Sequence, residues 1–88
     1  MTERTKISAA GNTLAPALAV LLGMGYDVKR ESGNEGWYAA ISSRCSLRAE
    51  DPLTLLGLAK LYEVRGTRWQ PSDKEVSAFL ALESRDDV

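Results

Sequence analysis

The sequence predicts a small α+β domain in which a two-stranded antiparallel hairpin packs on three helices, in the order helix, hairpin, helix, helix (αββαα). Three observations support this prediction: 88 residues suffice for one core, apolar residues recur at helical spacing in three segments, and two alternating runs flank a glycine-containing loop. A chain of this length buries only about 60–65% of its unfolded surface. We therefore expect residues 1–88 to form one domain, with loose tails at residues 1–6 and 84–88.

A first helix is predicted to begin after Asn12 or Thr13 and to end at Gly23. Its apolar residues recur at spacings of three and four, the period of one helix face: Leu14, Ala17, Leu18, Leu21 and Leu22. No charged residue occurs between Lys6 and Asp27. The unbroken apolar run is nevertheless far shorter than the roughly 20 residues that a membrane span needs. We expect a packed amphipathic helix rather than a targeting segment.

The hairpin is predicted from two alternating runs, residues 26–31 and 37–42. The loop between them contains glycines that can adopt the positive φ angles of a tight turn. In the second run Trp37, Ala39 and Ile41 share one face. We expect that face to cover the helices, which leaves Tyr38 on the other face for contact with a partner.

A second helix is predicted over residues 52–65, because Pro52 suits the first helical position and Gly66 can end the helix in a left-handed conformation. Its apolar residues occupy two faces. The expected core face contains Leu55, Leu58, Ala59 and Tyr62. The second stripe contains Leu53, Gly57, Leu61 and Val64. Either the flanking helices bury this second stripe, or it docks on another chain.

A third helix is predicted after the capping box formed by Ser72 and Glu75. Its inner face completes the predicted core, which contains Leu14, Leu18, Leu21, Val28, Ile41, Leu55, Leu58, Tyr62, Val76, Phe79 and Leu80. Arg68 and Trp69 lie in the connector before this helix. Trp69 is either an exposed binding anchor or a plug at the end of the core.

Composition argues against the commonest catalytic and metal-binding chemistry. The chain has no histidine, and its single cysteine, Cys45, has neither a partner thiol nor an evident base. Eleven Lys and Arg residues against twelve Asp and Glu residues give a net charge of −1, so no overall field attracts phosphates or anionic lipids. We expect no enzymatic activity, no cofactor and no metal, and a cytoplasmic location.

The first functional hypothesis is a small non-enzymatic protein-interaction module, such as an adaptor, a regulator or an antitoxin-like or immunity-like binder. Its partner is another protein or a second copy of the chain. The candidate interaction residues are Leu53, Gly57, Leu61, Val64, Tyr38, Arg68 and Trp69.

The alternative hypothesis is weak binding of a nucleic acid or a small ligand by basic residues beside the hairpin aromatics. The basic residues are Lys29, Arg30, Arg44 and Arg48. Neighbouring acidic residues dilute this patch, so a nucleic-acid partner is the less favoured expectation. No association with a membrane is expected.

Overall fold

Three helices and a three-stranded antiparallel sheet make up the computed structural model, which describes residues 3–9, 12–33 and 36–84. The elements in chain order are α1 (Leu14–Gly23), β1 (Asp27–Arg30), β2 (Tyr38–Ile41), β3 (Ser46–Ala49), α2 (Pro52–Arg65), a single 3₁₀ turn (Gly66–Arg68) and α3 (Asp73–Glu83). Residues 3–8 form no helix or strand, and the rest of the predicted tails, residues 1–2 and 85–88, lies outside the described ranges. None of the helices described is long and apolar enough to span a bilayer.

The α+β class is confirmed, but the predicted two-stranded ribbon is wrong because a third strand, β3, follows the hairpin. β3 pairs antiparallel with β2, so that Tyr38 lies opposite Ala49 and the sheet order is β1-β2-β3. Residues 46–49 contain no β-branched or aromatic side chain, so residue type does not mark this run as a strand. The predicted loop between β1 and β2 is present, with φ near +84° at both Gly33 and Gly36.

The face of the sheet that the helices cover is the opposite of the one predicted. Ala40 and Ala49 lie in the core, and Tyr38 packs against the core from a partly buried position. Ile41 is 40% exposed on the other face, which it shares with Trp37 by strand alternation. Small alanine side chains at Ala40 and Ala49 leave room for the helices, and the larger Val28, Tyr38 and Leu47 pack against the core from partly buried positions.

The core of the chain is small. Leu21 of α1 and Leu55 of α2 are its largest fully buried side chains, and they pack with Tyr26, Ala40, Ala49 and Ala59. The predicted core positions are confirmed at Leu21 and Leu55, and Val28 and Leu58 pack against them in part. Tyr62 is half-buried outside the core cluster, and the prediction is wrong at the other six positions, which are substantially exposed: Leu14, Leu18, Ile41, Val76, Phe79 and Leu80.

The second helix begins and ends at the predicted residues. The Asp51 carboxylate accepts a hydrogen bond from the backbone N–H of Thr54 at 2.7 Å, which satisfies one of the free donors of the first turn. At the other end Gly66 has a φ of +60°, a conformation that a residue with a side chain rarely adopts. These two caps fix the length of the helix that contributes Leu55 and Ala59 to the core.

The third helix forms as predicted but does not join the core. The N–H of Glu75 donates to Ser72 Oγ at 3.1 Å, and the N–H of Ser72 donates to Glu75 Oε1 at 2.9 Å, which completes the capping box. Arg65 of α2 holds Glu75 in an ion pair of 2.7 Å. The apolar face of α3 remains 43–59% exposed at Val76, Phe79 and Leu80. The predicted packing of three helices is therefore wrong within one chain.

The chain exposes more surface than a compact protein of its mass. Its accessible area is 7357 Å², whereas a folded monomer of this size exposes about 5,100 Å². The radius of gyration is 15.7 Å, against about 12 Å for a compact domain of the same length. The unpacked α3 and the exposed apolar side chains of α1 contribute to this difference.

Replacement of a core leucine tests the assignment of the core. Leu55→Ala should lower the free energy of unfolding by about 2–5 kcal/mol, because it removes a fully buried side chain and leaves a cavity. Leu82→Ala is the matched control, since Leu82 is 65% exposed, and its effect should stay within about 0.5 kcal/mol. Urea unfolding followed by circular dichroism measures both changes. Equal effects of the two substitutions would contradict this core.

Candidate functional site

A groove lies between β3 and the C-terminal half of α2, hereafter the β3–α2 groove. It encloses about 440 Å³ and is lined by Arg44, Cys45, Ser46, Leu47, Arg48, Leu58, Leu61, Tyr62, Gly66, Thr67 and Trp69. Two of the predicted interaction residues, Leu61 and Trp69, thus meet here. They are joined by Arg44 and Arg48, which the sequence placed in the alternative basic patch.

Each apolar wall of the groove follows from local structure. Leu47 faces α2 because side chains alternate along β3, and it lies partly buried against the core. Leu58 and Leu61 are three residues apart on α2 and therefore neighbours on the helix surface. Trp69 follows the 3₁₀ turn that begins at Gly66, and it remains 50% exposed. Trp69 is therefore a wall of the groove and not a plug of the core.

Arg48 and Arg44, the two arginines of the groove lining, differ in whether an acidic side chain of the described chain pairs with them. The Arg48 guanidinium forms an ion pair with Glu31 at 2.8 Å and lies 4.3 Å from the centre of the Trp37 ring. These contacts fix Arg48 on the open face of the sheet. Arg44 forms no ion pair with any residue in the described ranges. The positive charge of Arg44 is thus available to a bound group.

A small polar cluster lies beside the groove, where β1 meets the turn between β2 and β3. The Ser42 hydroxyl accepts the backbone N–H groups of Arg44 and Cys45, each at 3.2 Å, and so shapes this turn. The Cys45 sulfur lies 3.5 Å from the hydroxyl of Tyr26 and 3.8 Å from that of Ser42. The hydrogen bond with Cys45, together with burial, raises the pKa of Tyr26 to about 12. The Tyr26 hydroxyl therefore keeps its proton to a higher pH than an ordinary tyrosine does.

A second cavity of about 550 Å³ adjoins this cluster on the side of the α1 C-terminus. Met24, Tyr26, Arg44 and Tyr62 are among its lining residues, so Arg44 and Tyr62 border both spaces. Sequence reasoning missed this region. The sequence offered one signal for the adjoining polar cluster, the single cysteine at position 45. Nothing in the sequence indicated that Tyr26, nineteen positions earlier, would contact it.

The other predicted interaction residues do not join the groove. Tyr38 packs against the core, with the Arg30 guanidinium 5.4 Å from the centre of its ring. Arg68 is exposed outside the groove lining. The second stripe of α2 is partly open to solvent: Gly57 and Val64 are exposed, and Leu53 and Leu61 are half-buried. The flanking helices therefore do not bury this stripe completely in one chain.

The four basic residues of the alternative hypothesis do not form one patch. Lys29 and Arg48 lie on the open face of the sheet, in register on either side of Ala39. Lys29 is 4.0 Å from Asp27, and Arg48 is paired with Glu31. Arg30 belongs to the opposite face by strand alternation, and Arg44 lies in the β2–β3 turn.

In the part of the chain that the structure describes, no three His, Cys, Asp or Glu side chains are grouped so that they could hold a metal ion. Comparison of the chain with protein-family models, with curated proteins and with solved structures finds no match.

The raised pKa of Tyr26 predicts a loss of stability at high pH. Between about pH 10, the ordinary pKa of tyrosine, and about pH 12 the unfolded chain loses this proton while the folded chain keeps it. The free energy of unfolding should therefore fall as the pH rises through this window and carry the full Tyr26 contribution below it. Urea unfolding at pH 8, 10 and 11 measures the fall.

Two variants assign the effect to the Tyr26–Cys45 contact. Tyr26→Phe removes the titrating group, and Cys45→Ala removes the largest cause of the raised pKa, so both should show a smaller fall between pH 10 and 11 than the parent chain. If either variant retains the whole fall, other groups cause it.

Proposed function

We propose that this protein is a non-enzymatic protein-binding module that holds a short apolar and acidic segment of a partner in the β3–α2 groove. The observation that carries the proposal is the meeting of Leu61, Trp69 and Arg44 around one groove, with the tryptophan half exposed and the arginine unpaired among the described residues. Tryptophan and arginine are the residue types most enriched at the energetic centres of protein interfaces.

The apolar part of the groove supports recognition of a large aliphatic or aromatic side chain. Leu47, Leu58 and Leu61 form walls that are only partly covered within the chain. The volume of about 440 Å³ falls within the range of about 300–1,000 Å³ that binding pockets occupy. Burial of a partner's apolar side chain against these walls would supply most of the binding free energy.

The positive charge of Arg44 favours a partner segment in which an acidic residue adjoins the bound apolar side chain. Arg44 can pair with a carboxylate through two parallel N–H donors, a geometry that gives both strength and orientation. The Arg48 guanidinium is paired with Glu31 on the open face of the sheet, so Arg44 is the arginine that the groove offers to a carboxylate. A partner segment with a large apolar residue beside Asp or Glu fits this arrangement.

The chemistry around Cys45 supports a role in binding rather than catalysis. The side-chain neighbours described for its sulfur are the hydroxyls of Tyr26 and Ser42. The raised pKa of Tyr26 makes that hydroxyl a poor proton donor at neutral pH, and a serine hydroxyl is no general base. A reducing cytoplasm is the proposed location, because a chain with a single cysteine has no internal disulfide to maintain.

Peptide selection tests the proposed function directly. The full chain should select, from a displayed library of random peptides, sequences in which a large apolar residue adjoins Asp or Glu. Binding of a selected peptide should shift the emission of Trp69, read in a Trp37→Phe background that leaves one tryptophan. Arg44→Glu and Trp69→Ala should each weaken the peptide at least tenfold, a change of about 1.4 kcal/mol.

Arg68→Glu is the matched control for Arg44→Glu, because both arginines are exposed but only Arg44 lines the groove. It should leave the affinity within about twofold. Leu61→Glu serves as a third groove variant, with its folding checked by circular dichroism. Peptides that survive both Arg44→Glu and Trp69→Ala would contradict binding in this groove.

Binding of a nucleic acid has less support, because the four basic residues are divided between two faces and a turn. We expect the chain to elute from a heparin column at low salt, and Arg30→Glu and Arg44→Glu to leave that elution unchanged. Strong retention that both substitutions remove would favour the nucleic-acid alternative over the protein-binding proposal.

A further inference from the structure

Helix α1 presents an apolar ridge to solvent, formed by Leu14, Leu18 and Leu22 and hereafter named the leucine ridge. The three residues are spaced four apart and are 49%, 36% and 53% exposed. No charged residue lies anywhere on α1. The helix packs on α2 and β1 through Ala17 and Leu21, which leaves the leucine ridge uncovered by the rest of the described chain. A helix without a polar face is normally buried on all sides.

Helix α3 also has an apolar face that no described element of the chain covers. It is 11 residues long, and isolated helices shorter than about 12–15 residues are marginal in water. No extensive packing joins α3 to another described element of the chain, and its apolar face of Val76, Phe79 and Leu80 is exposed. The capping box and the Arg65–Glu75 ion pair define its first turn only. The remaining turns need an apolar surface to pack on.

We propose that two copies of this chain form a dimer by exchange of α3, so that the apolar face of α3 from each copy covers the leucine ridge of the other. Both unpartnered faces belong to one chain, which is the condition for a closed two-fold assembly. Their lengths also match, since α1 has 10 residues and α3 has 11, or roughly 15 and 16 Å at 1.5 Å per residue. This inference uses a different surface from the β3–α2 groove and stands independently of it.

The exposed area favours a second copy over a small accessory contact. The chain exposes 7357 Å², roughly 2,000 Å² more than a compact monomer of its mass. Standard interfaces take about 800 Å² from each partner, and obligate dimers take more. Part of the excess lies on the leucine ridge and the apolar face of α3, where a second copy can cover it, and part lies on the exposed residues 3–9. The absence of charge on the leucine ridge indicates that sodium chloride should have little effect on the association.

Light scattering across a concentration series tests the dimer with the full chain itself. The expected mass is twice 9.6 kDa, and it should persist in 1 M sodium chloride. A mass of one chain at every concentration would overturn the proposal, whether α3 stays extended or folds back on its own α1. Loss of peptide binding to the groove would leave this result unchanged, so the two proposals fail separately.

Charged substitutions then locate the interface. Leu18→Glu and Leu80→Glu should each raise the dimer dissociation constant at least about 30-fold, as replacement of a central contact does. The matched controls are Val20→Glu on α1 and Ala78→Glu on α3, both at exposed positions. Each control position lies roughly 160° around its helix from the tested residue. A dimer that resists Leu18→Glu or Leu80→Glu, or that the controls dissociate equally, would overturn the proposed contact.

Mixing distinguishes exchange from other two-fold contacts. In a mixture of the Leu18→Glu and Leu80→Glu chains, the unaltered α3 of the first can cover the unaltered leucine ridge of the second. One of the two contacts is thus restored, and a heterodimer should form at concentrations where each variant alone is monomeric. An interface of α1 with α1, or of α3 with α3, cannot be restored in this way. Failure to form the heterodimer, with both variants folded by circular dichroism, would overturn reciprocal exchange.

Discussion

Close packing of two helices on alanines of the sheet is the constraint from which the rest of this molecule follows. Ala40, Ala49 and Ala59 are buried around Leu21 and Leu55, so α1 and α2 can approach the strands closely. Such a core is dense but small, because alanine contributes little apolar area compared with a larger side chain. Fourteen residues of α2 and ten of α1 carry more apolar surface than this core can cover. The surplus lies on the leucine ridge, on the second stripe of α2 and in the β3–α2 groove.

Parts of the fold could be predicted because they depend on neighbours in sequence. The ends of α2 follow from Asp51, Pro52 and Gly66, and the start of α3 follows from Ser72 and Glu75. These caps need no information about the rest of the chain. The covered face of β2 does depend on the rest of the chain. Hydrophobicity favoured the face with Trp37 and Ile41, whereas the need for close helix approach selects the face with Ala40.

In the candidate site, too, neighbours in sequence predict some features, whereas others depend on contacts between distant parts of the chain. Leu61 and Trp69 could be named as candidates from helix periodicity and residue type. Their meeting with Arg44 and Leu47 depends on β3, which the sequence pattern did not reveal. Likewise, the spacing of Val76, Phe79 and Leu80 indicates one apolar helix face, and that face is exposed in this chain. Periodicity carries no information on whether the covering surface belongs to the same chain or to another one, and this is why the predicted three-helix core was wrong.

The segment between α2 and α3 links the two surfaces physically. Gly66, Thr67 and Trp69 line the β3–α2 groove, and the same residues carry the chain from the end of α2 to α3. The position of α3 therefore sets the direction in which this segment leaves Gly66, and with it the place of the Trp69 ring. A helix that is free to move leaves one wall of the groove free to move, whereas a helix docked on a second copy holds that wall in place. Preorganisation of this kind lowers the entropy lost when a partner binds. In the proposed dimer, the contact between two copies would therefore also hold the proposed binding groove in place.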